Sequence, residues 1–158
     1  MLFRSSLLAT LYRLDAHTWR VPLQRRKYEL LEGRTLEDRR DAAGLMLHAG
    51  LYDEAVSLYT SGGMLLLSRS PAFDHYNLAC AYASWSLEPG DEDPQVLRDQ
   101  ALLHLTECVK QQWTDIAWME LDRDLDPIRD TPTYRALLDT IRRFVANDHA
   151  IPAVRPGR

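Results

Sequence analysis

The chain has 158 residues, of which 46% are hydrophobic and 27% are charged, and its formal net charge is −4. This length predicts one domain or one compact array of repeats, and the composition is that of an ordinary globular protein that can bury a core. The negative balance argues against general affinity for nucleic acid.

The charge is unevenly distributed along the chain. Residues 1–40 carry nine Lys/Arg and five Asp/Glu, whereas residues 41–158 carry ten and eighteen. The basic cluster around Arg25 and Lys27 is short and is interrupted by Glu29 and Glu32. It is therefore interpreted as a solvated basic face.

The apolar residues recur every three and four positions, which is typical of amphipathic helices, and strand signals are scarce. The sequence predicts an all-α protein of about seven to eight short helices joined by short turns. Three segments are predicted: an N-terminal helical segment (residues 1–34), helical repeats with a terminal capping helix (residues 35–146) and a disordered tail (residues 147–158). In chain order, helices are predicted at residues 6–19, 23–32, 35–48, 53–67, 70–85, 95–111, 115–121 and 132–146.

Local signals set these boundaries. Thr35 and Asp38 resemble an N-cap and its capping partner, and Gly50 predicts a tight turn after the helix that they begin. Gly62 and Gly63 are expected to weaken or bend the helix predicted at residues 53–67. Residues 87–94 form a polar loop rich in Pro, Gly and acidic residues.

The start of the chain raises a separate question. Residues 2–5 read "LFRS", which a common sequencing adapter spells in one reading frame. We interpret these residues as an artefactual junction, and the chain as the C-terminal fragment of a longer protein. The N-terminal apolar run lacks a signal-peptide cleavage site, and no run is long enough to span a bilayer, so no membrane contact is expected.

Two segments of the chain resemble each other and the tetratricopeptide repeat, a helix-turn-helix of about 34 residues. In the second segment, Leu78, Ala79 and Tyr82 match the first helix of the repeat, and Ala101 opens the second. Leu105 and Cys108 follow at the expected spacing. In the first segment the matching residues are Ala43, Gly50, Tyr52, Asp53, Glu54 and Ala55, and the departures are Met46 and Arg39.

Residues 73–138 are similar to a longer pattern found at the C-terminal end of bacterial tetratricopeptide proteins. It places a tryptophan at Trp113, acidic residues at Asp122, Asp124 and Asp126, and a proline at Pro132. The resemblance implies an α-solenoid of antiparallel helix pairs. It also implies a signalling context, because such ends occur in serine/threonine kinases, although kinase motifs are absent from this chain.

Several residues could belong to a reactive or metal-binding site, or could serve only the packing of the fold. Cys80 lacks a neighbouring base at helical spacing and is interpreted as a packing residue, not a nucleophile. The acidic run from Asp122 to Asp126 departs from a calcium loop, with Pro127 where glycine is needed, so we interpret it as a structural turn. The two cysteines and five histidines show no zinc spacing, and no cofactor is predicted. The four tryptophans are expected in the core.

Repeat geometry places the first helix of each pair on a concave face. The predicted partner-binding residues on that face are Arg40, His48, Phe73, Tyr76, Asn77, Cys80 and Ser84.

The leading hypothesis is a non-catalytic interaction module that binds a peptide or a partner helix. Because both cysteines are isolated, a reducing, cytoplasmic setting is expected. The alternatives are the regulatory C-terminal domain of a bacterial serine/threonine kinase and, more distantly, a small helical enzyme. Self-association through an open repeat face is also predicted. The partner, the pathway and the oligomeric state are left open by the sequence.

Overall fold

The structure, a computed structural model, describes residues 35–61, 63–67 and 71–148. Within these ranges every regular element is helical, which confirms the all-α prediction. The elements are α1 (Leu36–His48), α2 (Tyr52–Thr60), α3 (Met64–Leu67), α4 (Pro71–Trp85), α5 (Pro94–Lys110), α6 (Ile116–Leu121), a 3-10 turn (Arg123–Leu125), α7 (Asp126–Arg129) and α8 (Pro132–Asp148). The two helices predicted at residues 6–19 and 23–32 and the tail at residues 149–158 lie outside the described residues.

Helix α1 begins and ends as its sequence predicts. The Thr35 hydroxyl accepts a hydrogen bond from the Asp38 backbone N–H, and the Asp38 carboxylate accepts one from the Thr35 N–H. At the other end, Gly50 has a φ of +71° and donates to the Leu47 carbonyl, while Leu51 donates to that of Met46. This pair of bonds satisfies the last carbonyls of the helix, and glycine adopts the left-handed conformation without a side-chain clash.

The prediction of one continuous helix over residues 53–67 is wrong. Helix α2 ends at Thr60, and the short α3 starts at Met64. Gly63 has a φ of +71°, which a helix cannot contain. The Thr60 hydroxyl also donates to the Val56 carbonyl at 2.8 Å, as side chains near helix ends commonly do. The expected weakening at the glycines is therefore a complete break.

The long helices pack in sequence order. Helix α1 packs against α2, α2 against α4, and α4 most extensively against α5. Ala79 of α4 and Ala101 of α5 are fully buried in this last pair. Small residues at such positions allow two helices to approach closely, so the most extensive helix pair contains the alanines that the repeat pattern predicts.

The chain after α5 returns across α4. Gln112 has a φ of +65°, and among the described residues it is the non-glycine residue with a left-handed backbone. The chain reverses its direction there. The 3-10 turn then packs on α4, and α7 packs on both α4 and α5. Leu125 and Ile128 from this region are fully buried. We name residues 113–129 the cover segment, because they form part of the core over one face of α4.

Helix α8 follows the cover segment and packs on α5, α6 and α7. It starts at Pro132 as predicted and runs to Asp148, two residues beyond the predicted end. Tyr134 and Ile141 are buried, and the Tyr134 hydroxyl donates to the Met119 carbonyl at 2.8 Å. Among the described residues, none of the helices has the length and apolar character needed to cross a membrane.

The prediction that the tryptophans are core residues is wrong for Trp118, whose exposed fraction is 58%. Helix α6 has six residues and turns Met119, not Trp118, towards the core. Trp85 and Trp113 are half-buried against the core. Trp19 lies outside the described residues.

Two histidines meet between α4 and α5. The Nδ1 atoms of His75 and His104 are 3.0 Å apart, and the ring of Tyr82 stacks on His104 with 5.5 Å between centroids. Burial, and then the charge of His75, lowers the pKa of His104 to about 4. Burial also lowers the pKa of His75, although Glu107 and Asp74 act against this change. The pair is therefore packed in its neutral form.

This packing predicts a pH-dependent stability. The unfolded state binds a proton at His104 near pH 6.5, whereas the folded state resists it until pH 4. The free energy of unfolding should therefore fall as the pH falls between these values, by about 1–2 kcal/mol after allowance for a partly exposed site. Urea unfolding of the wild type and of His104→Phe, which keeps a ring against Tyr82, measures the effect.

The variant should lose less stability than the wild type between pH 6.5 and pH 4. The comparison at pH 8, where the imidazoles are neutral in both states, provides the reference. Equal pH slopes for the two proteins would contradict the assignment.

Candidate functional site

The predicted groove residues on α4 form one stripe under the cover segment. Tyr76, Cys80 and Ser84 are spaced by four, which places them on one helix face. The Tyr76 hydroxyl donates to Asp122 Oδ2 at 2.8 Å, and the Cys80 thiol donates to the same oxygen at 3.7 Å. The Ser84 hydroxyl donates to Asp124 Oδ1 at 3.4 Å. All three side chains are buried, so they hold the chain's own segment.

Aromatic rings fix the start of the cover segment. The rings of Tyr76 and Trp113 stack with 4.9 Å between centroids and 19° between planes. Phe73 lies 6.4 Å from Trp113 and has an exposed fraction of 45%. The Trp113 Nε1 atom is buried and has no hydrogen-bond partner among the described residues. The rim at Phe73 is thus the most open part of this aromatic group.

The acidic turn forms as the sequence predicts. Asp122 Oδ1 accepts from the Asp124 backbone N–H at 3.1 Å and begins the 3-10 turn. Arg129 donates to the carbonyl of Asp122 at 2.7 Å and to the carboxylate of Asp126 at 3.0 Å. The interpretation of the run as a structural turn, with its carboxylates at helix starts and beside arginine, is confirmed.

The environment of Cys80 opposes thiolate formation. Burial raises the pKa of the Cys80 thiol well above its ordinary value, and the charges of Asp122 and Asp124 raise it further. His75, five residues earlier, is instead engaged with His104. A nucleophilic cysteine needs a lowered pKa or an adjacent base. The geometry therefore favours the interpretation of Cys80 as a packing residue.

Among the described residues, Cys80, Asp122 and Asp124 are the group whose side chains could together hold a metal ion. Donor atoms of Cys80, Asp122 and Asp124 lie within 4.8 Å of one another. Asp122 Oδ2, however, already accepts from Tyr76 and Cys80, and Asp124 Oδ1 accepts from Ser84. Burial, followed by the Asp122 charge, raises the pKa of Asp124. Hydrogen bonding within the protein accounts for the cluster.

A second set of contacts joins α4 to the first helix pair. Arg40 Nε donates to Asp74 Oδ1 at 2.6 Å, and its second terminal nitrogen donates to Asp74 Oδ2 at 2.9 Å. The Asp74 side chain is completely buried, and that of Arg40 is 21% exposed. The Asn77 amide donates to the Tyr59 hydroxyl at 2.9 Å. Arg40 and Asn77 therefore act first as links between helices.

One face of α1 lies beside these contacts. Arg40, Gly44 and His48 are spaced by four and share one face of the helix. A Cβ added at Gly44 would meet no atom of the described residues within 4 Å, and His48 is exposed. The charge of His48 acts to lower the pKa of Asp124, which places this end of the face near the cover segment. We name Arg40, Gly44 and His48 the α1 strip.

Sequence reasoning thus assigned seven partner-binding residues, and the structure divides them. Tyr76, Cys80 and Ser84 lie under the cover segment, while Phe73 and His48 are exposed. Arg40 and Asn77 lie between these groups and are partly exposed. Sequence reasoning missed Asp74 as the partner of Arg40. No local pattern signals that contact, since 34 positions separate the two residues.

The Arg40–Asp74 pair leads to a stability prediction. Arg40→Ala leaves a fully buried carboxylate without its bidentate partner, so the free energy of unfolding should fall by about 3 kcal/mol. Arg135→Ala is the matched control, because its ion pair with Asp130 is exposed and is expected to contribute about 0–1 kcal/mol. Chemical denaturation measures both. A loss below 1 kcal/mol for Arg40→Ala would show that the pair does not hold α1 on α4.

The attachment of the cover segment can be tested at Tyr76. Tyr76→Phe keeps the ring stacked on Trp113 but removes the donor to Asp122, and the free energy of unfolding should fall by about 1.5–3 kcal/mol. Tyr82→Phe is the control, because the Tyr82 hydroxyl makes no hydrogen bond among the described residues. Equal effects of the two substitutions in urea unfolding would rule out the proposed role of this bond.

No protein-family model matches the chain, and no curated protein or solved structure matches it either. The tetratricopeptide resemblance therefore stays a prediction. It rests on the repeat residues of the chain itself.

Proposed function

We propose that the chain is a non-catalytic protein-interaction module, built as a tetratricopeptide-like array, which binds a peptide or a partner helix along its concave face. The observation that supports the proposal is the α1 strip, a helix face beside the cover segment that includes the exposed His48 and the space around Gly44. A ligand held there would lie along α1 between the exposed rim at Phe73 and the exposed His48.

The order of helix packing supports the repeat architecture. In a stack of helix pairs, each first helix contacts its own partner and the neighbouring pair. Here α1 contacts α2 and also α4, and α4 contacts α2 and α5. Of the residues that match the repeat pattern in the second pair, Tyr82 is partly exposed and the others are completely buried: Leu78, Ala79, Ala101, Leu105 and Cys108.

The cover segment determines which part of the concave face is available. Met119, Leu125 and Ile128 belong to the core, so removing the cover would expose a large apolar surface at substantial cost in free energy. A partner is therefore expected to bind beside the cover and not beneath it. We therefore exclude Tyr76, Cys80 and Ser84 from the proposed binding residues. The residues that remain are Arg40, His48, Phe73 and Asn77.

The surroundings of the cysteines support a non-catalytic role in a reducing compartment, which we take to be the cytoplasm. Both Cys80 and Cys108 are buried free thiols, and burial raises the pKa of Cys108 to about 12. Neither thiol is prepared to react. Neither is positioned to pair with another chain.

The α1 strip can be tested by blocking it without unfolding the protein. Gly44→Gln places a long side chain in the open space, and it should also raise the stability of α1 by about 0.5–1 kcal/mol, because glycine is a poor helix former. Peptides selected from a random display library against the full chain should lose at least tenfold in affinity for this variant. Calorimetry measures the affinity, and circular dichroism verifies the fold.

Gly90→Gln is the matched control, because Gly90 lies in the loop between α4 and α5 and a Cβ there also meets nothing within 4 Å in the part of the chain that the structure describes. It should bind the selected peptides as the wild type does. The proposal is wrong if both variants bind equally well, or if selection yields no enriched peptide.

A further inference from the structure

A small cavity lies where the turn between α1 and α2 meets the end of α4. The residues that line it are Gly50, Tyr52, Asp53, Trp85, Glu88 and Pro89. Its volume is about 120 Å³, whereas the pockets of drug-sized ligands measure about 300–1,000 Å³. The cavity therefore suits the end of one side chain and not a whole small molecule.

Backbone hydrogen bonds fix the two turns that line the cavity. The Leu51 N–H donates to the Met46 carbonyl at 2.9 Å, which closes the turn after α1. The Glu88 N–H donates to the Trp85 carbonyl, also at 2.9 Å, which closes the turn after α4. The cavity is therefore formed by the fold before any ligand binds.

Aromatic rings form two sides of the cavity. Tyr52 and Trp85 are both partly buried. The hydroxyl end of Tyr52 lies beside Gly50, where an added Cβ would be 3.9 Å from the Tyr52 oxygen. The ring of Tyr82 stacks on Trp85 with 6.3 Å between centroids, and this contact limits the movement of the indole. Such rings attract cations to their faces.

Carboxylates give the same cavity a negative charge. Asp53 and Glu88 are exposed, so they lie at its solvent side. Residues 87–93 carry four acidic residues and no lysine or arginine. Among the described residues that line the cavity there is likewise no basic side chain. Local charge of one sign therefore favours a cationic ligand.

We propose that this cavity binds an arginine side chain of the peptide partner. A guanidinium group stacks on aromatic faces, pairs with carboxylates through a rigid fork of donors, and is more weakly hydrated than an ammonium group. Gly50 follows His48 by two residues, so the cavity lies at the end of α1 that carries the exposed His48. The inference rests on the proposed function, and it names the side chain that the peptide contributes.

The cavity can be tested with a probe that does not require a peptide. Nα-acetyl-arginine amide, titrated into the full chain, should shift the indole N–H resonance of Trp85 in a saturable way. It should also give nuclear Overhauser effects from its side-chain methylenes to the rings of Tyr52 and Trp85. The corresponding lysine compound should bind several times more weakly, because its ammonium group is more strongly hydrated and cannot stack.

A charge reversal tests the carboxylate. Glu88→Lys should weaken binding of the arginine compound at least about tenfold, because it replaces an attractive charge by a like charge. Glu92→Lys is the matched control: it changes the net charge equally, lies in the same exposed loop, and does not line the cavity. It should keep most of the affinity at physiological ionic strength, because salt screens a charge that does not touch the ligand.

The inference is overturned if the Trp85 resonance shows no saturable shift, or if the two charge reversals weaken binding equally. Binding of the lysine compound as tightly as the arginine compound would overturn the choice of arginine. These results are distinct from a failure of the proposed function. Selected peptides that lack arginine but still depend on Gly44 would refute only the cavity, whereas a bound arginine compound without any selected peptide would refute only the peptide site.

Discussion

The enclosure of α4 is the constraint on which the rest of the structure depends. This helix contacts α1, α2, α5, the 3-10 turn and α7, and eight of its fifteen residues are buried. A helix enclosed on several sides must satisfy any polar group that it carries, because an unpaired buried donor or charge costs several times the free energy of a made hydrogen bond. Helix α4 carries four such groups: Asp74, Tyr76, Cys80 and Ser84.

Each polar group on α4 therefore fixes the place of another element. Asp74 needs a cation and receives Arg40 from α1, so the first helix pair is joined to the second. Asp122 accepts hydrogen bonds from Tyr76 and Cys80, and Asp124 accepts one from Ser84. The cover segment is thus specified by polar pairing at its turn and by apolar burial at Leu125 and Ile128. The stripe that repeat geometry assigns to a ligand is used to close the core.

The parts of the structure that the sequence predicts well are those with local causes. The capping box at Thr35, the turn at Gly50, the start of α8 at Pro132 and the acidic turn at Asp122 each depend on residues within a few positions of one another. The glycines after α2 predict a weakened helix but not a complete break, because helix propensity does not show whether packing will overcome the weakening. The exposure of Trp118 has no such local cause, because it depends on which side of the six-residue helix α6 faces the core.

The candidate site was harder to predict, because its contacts join residues far apart in the chain. Arg40 and Asp74 are separated by 34 positions, Tyr76 and Asp122 by 46, and His75 and His104 by 29. The periodicity of a helix shows which residues share a face, but it does not show what covers that face. Helical spacing therefore shows that Tyr76, Cys80 and Ser84 share a face, but it does not show that the cover segment lies over it.

The faces of α4 make separate contacts. Residues 76, 80 and 84 point to the cover segment, residue 74 points to α1, and residues 75 and 82 lie at the α5 edge. A peptide on the α1 strip would therefore contact a different side of α4 from the histidine pair. Because such a peptide would bind only the folded state, it would stabilise the array. Coupling between this face and the histidine pair would require α4 itself to move, and the burial of eight of its fifteen residues opposes such movement.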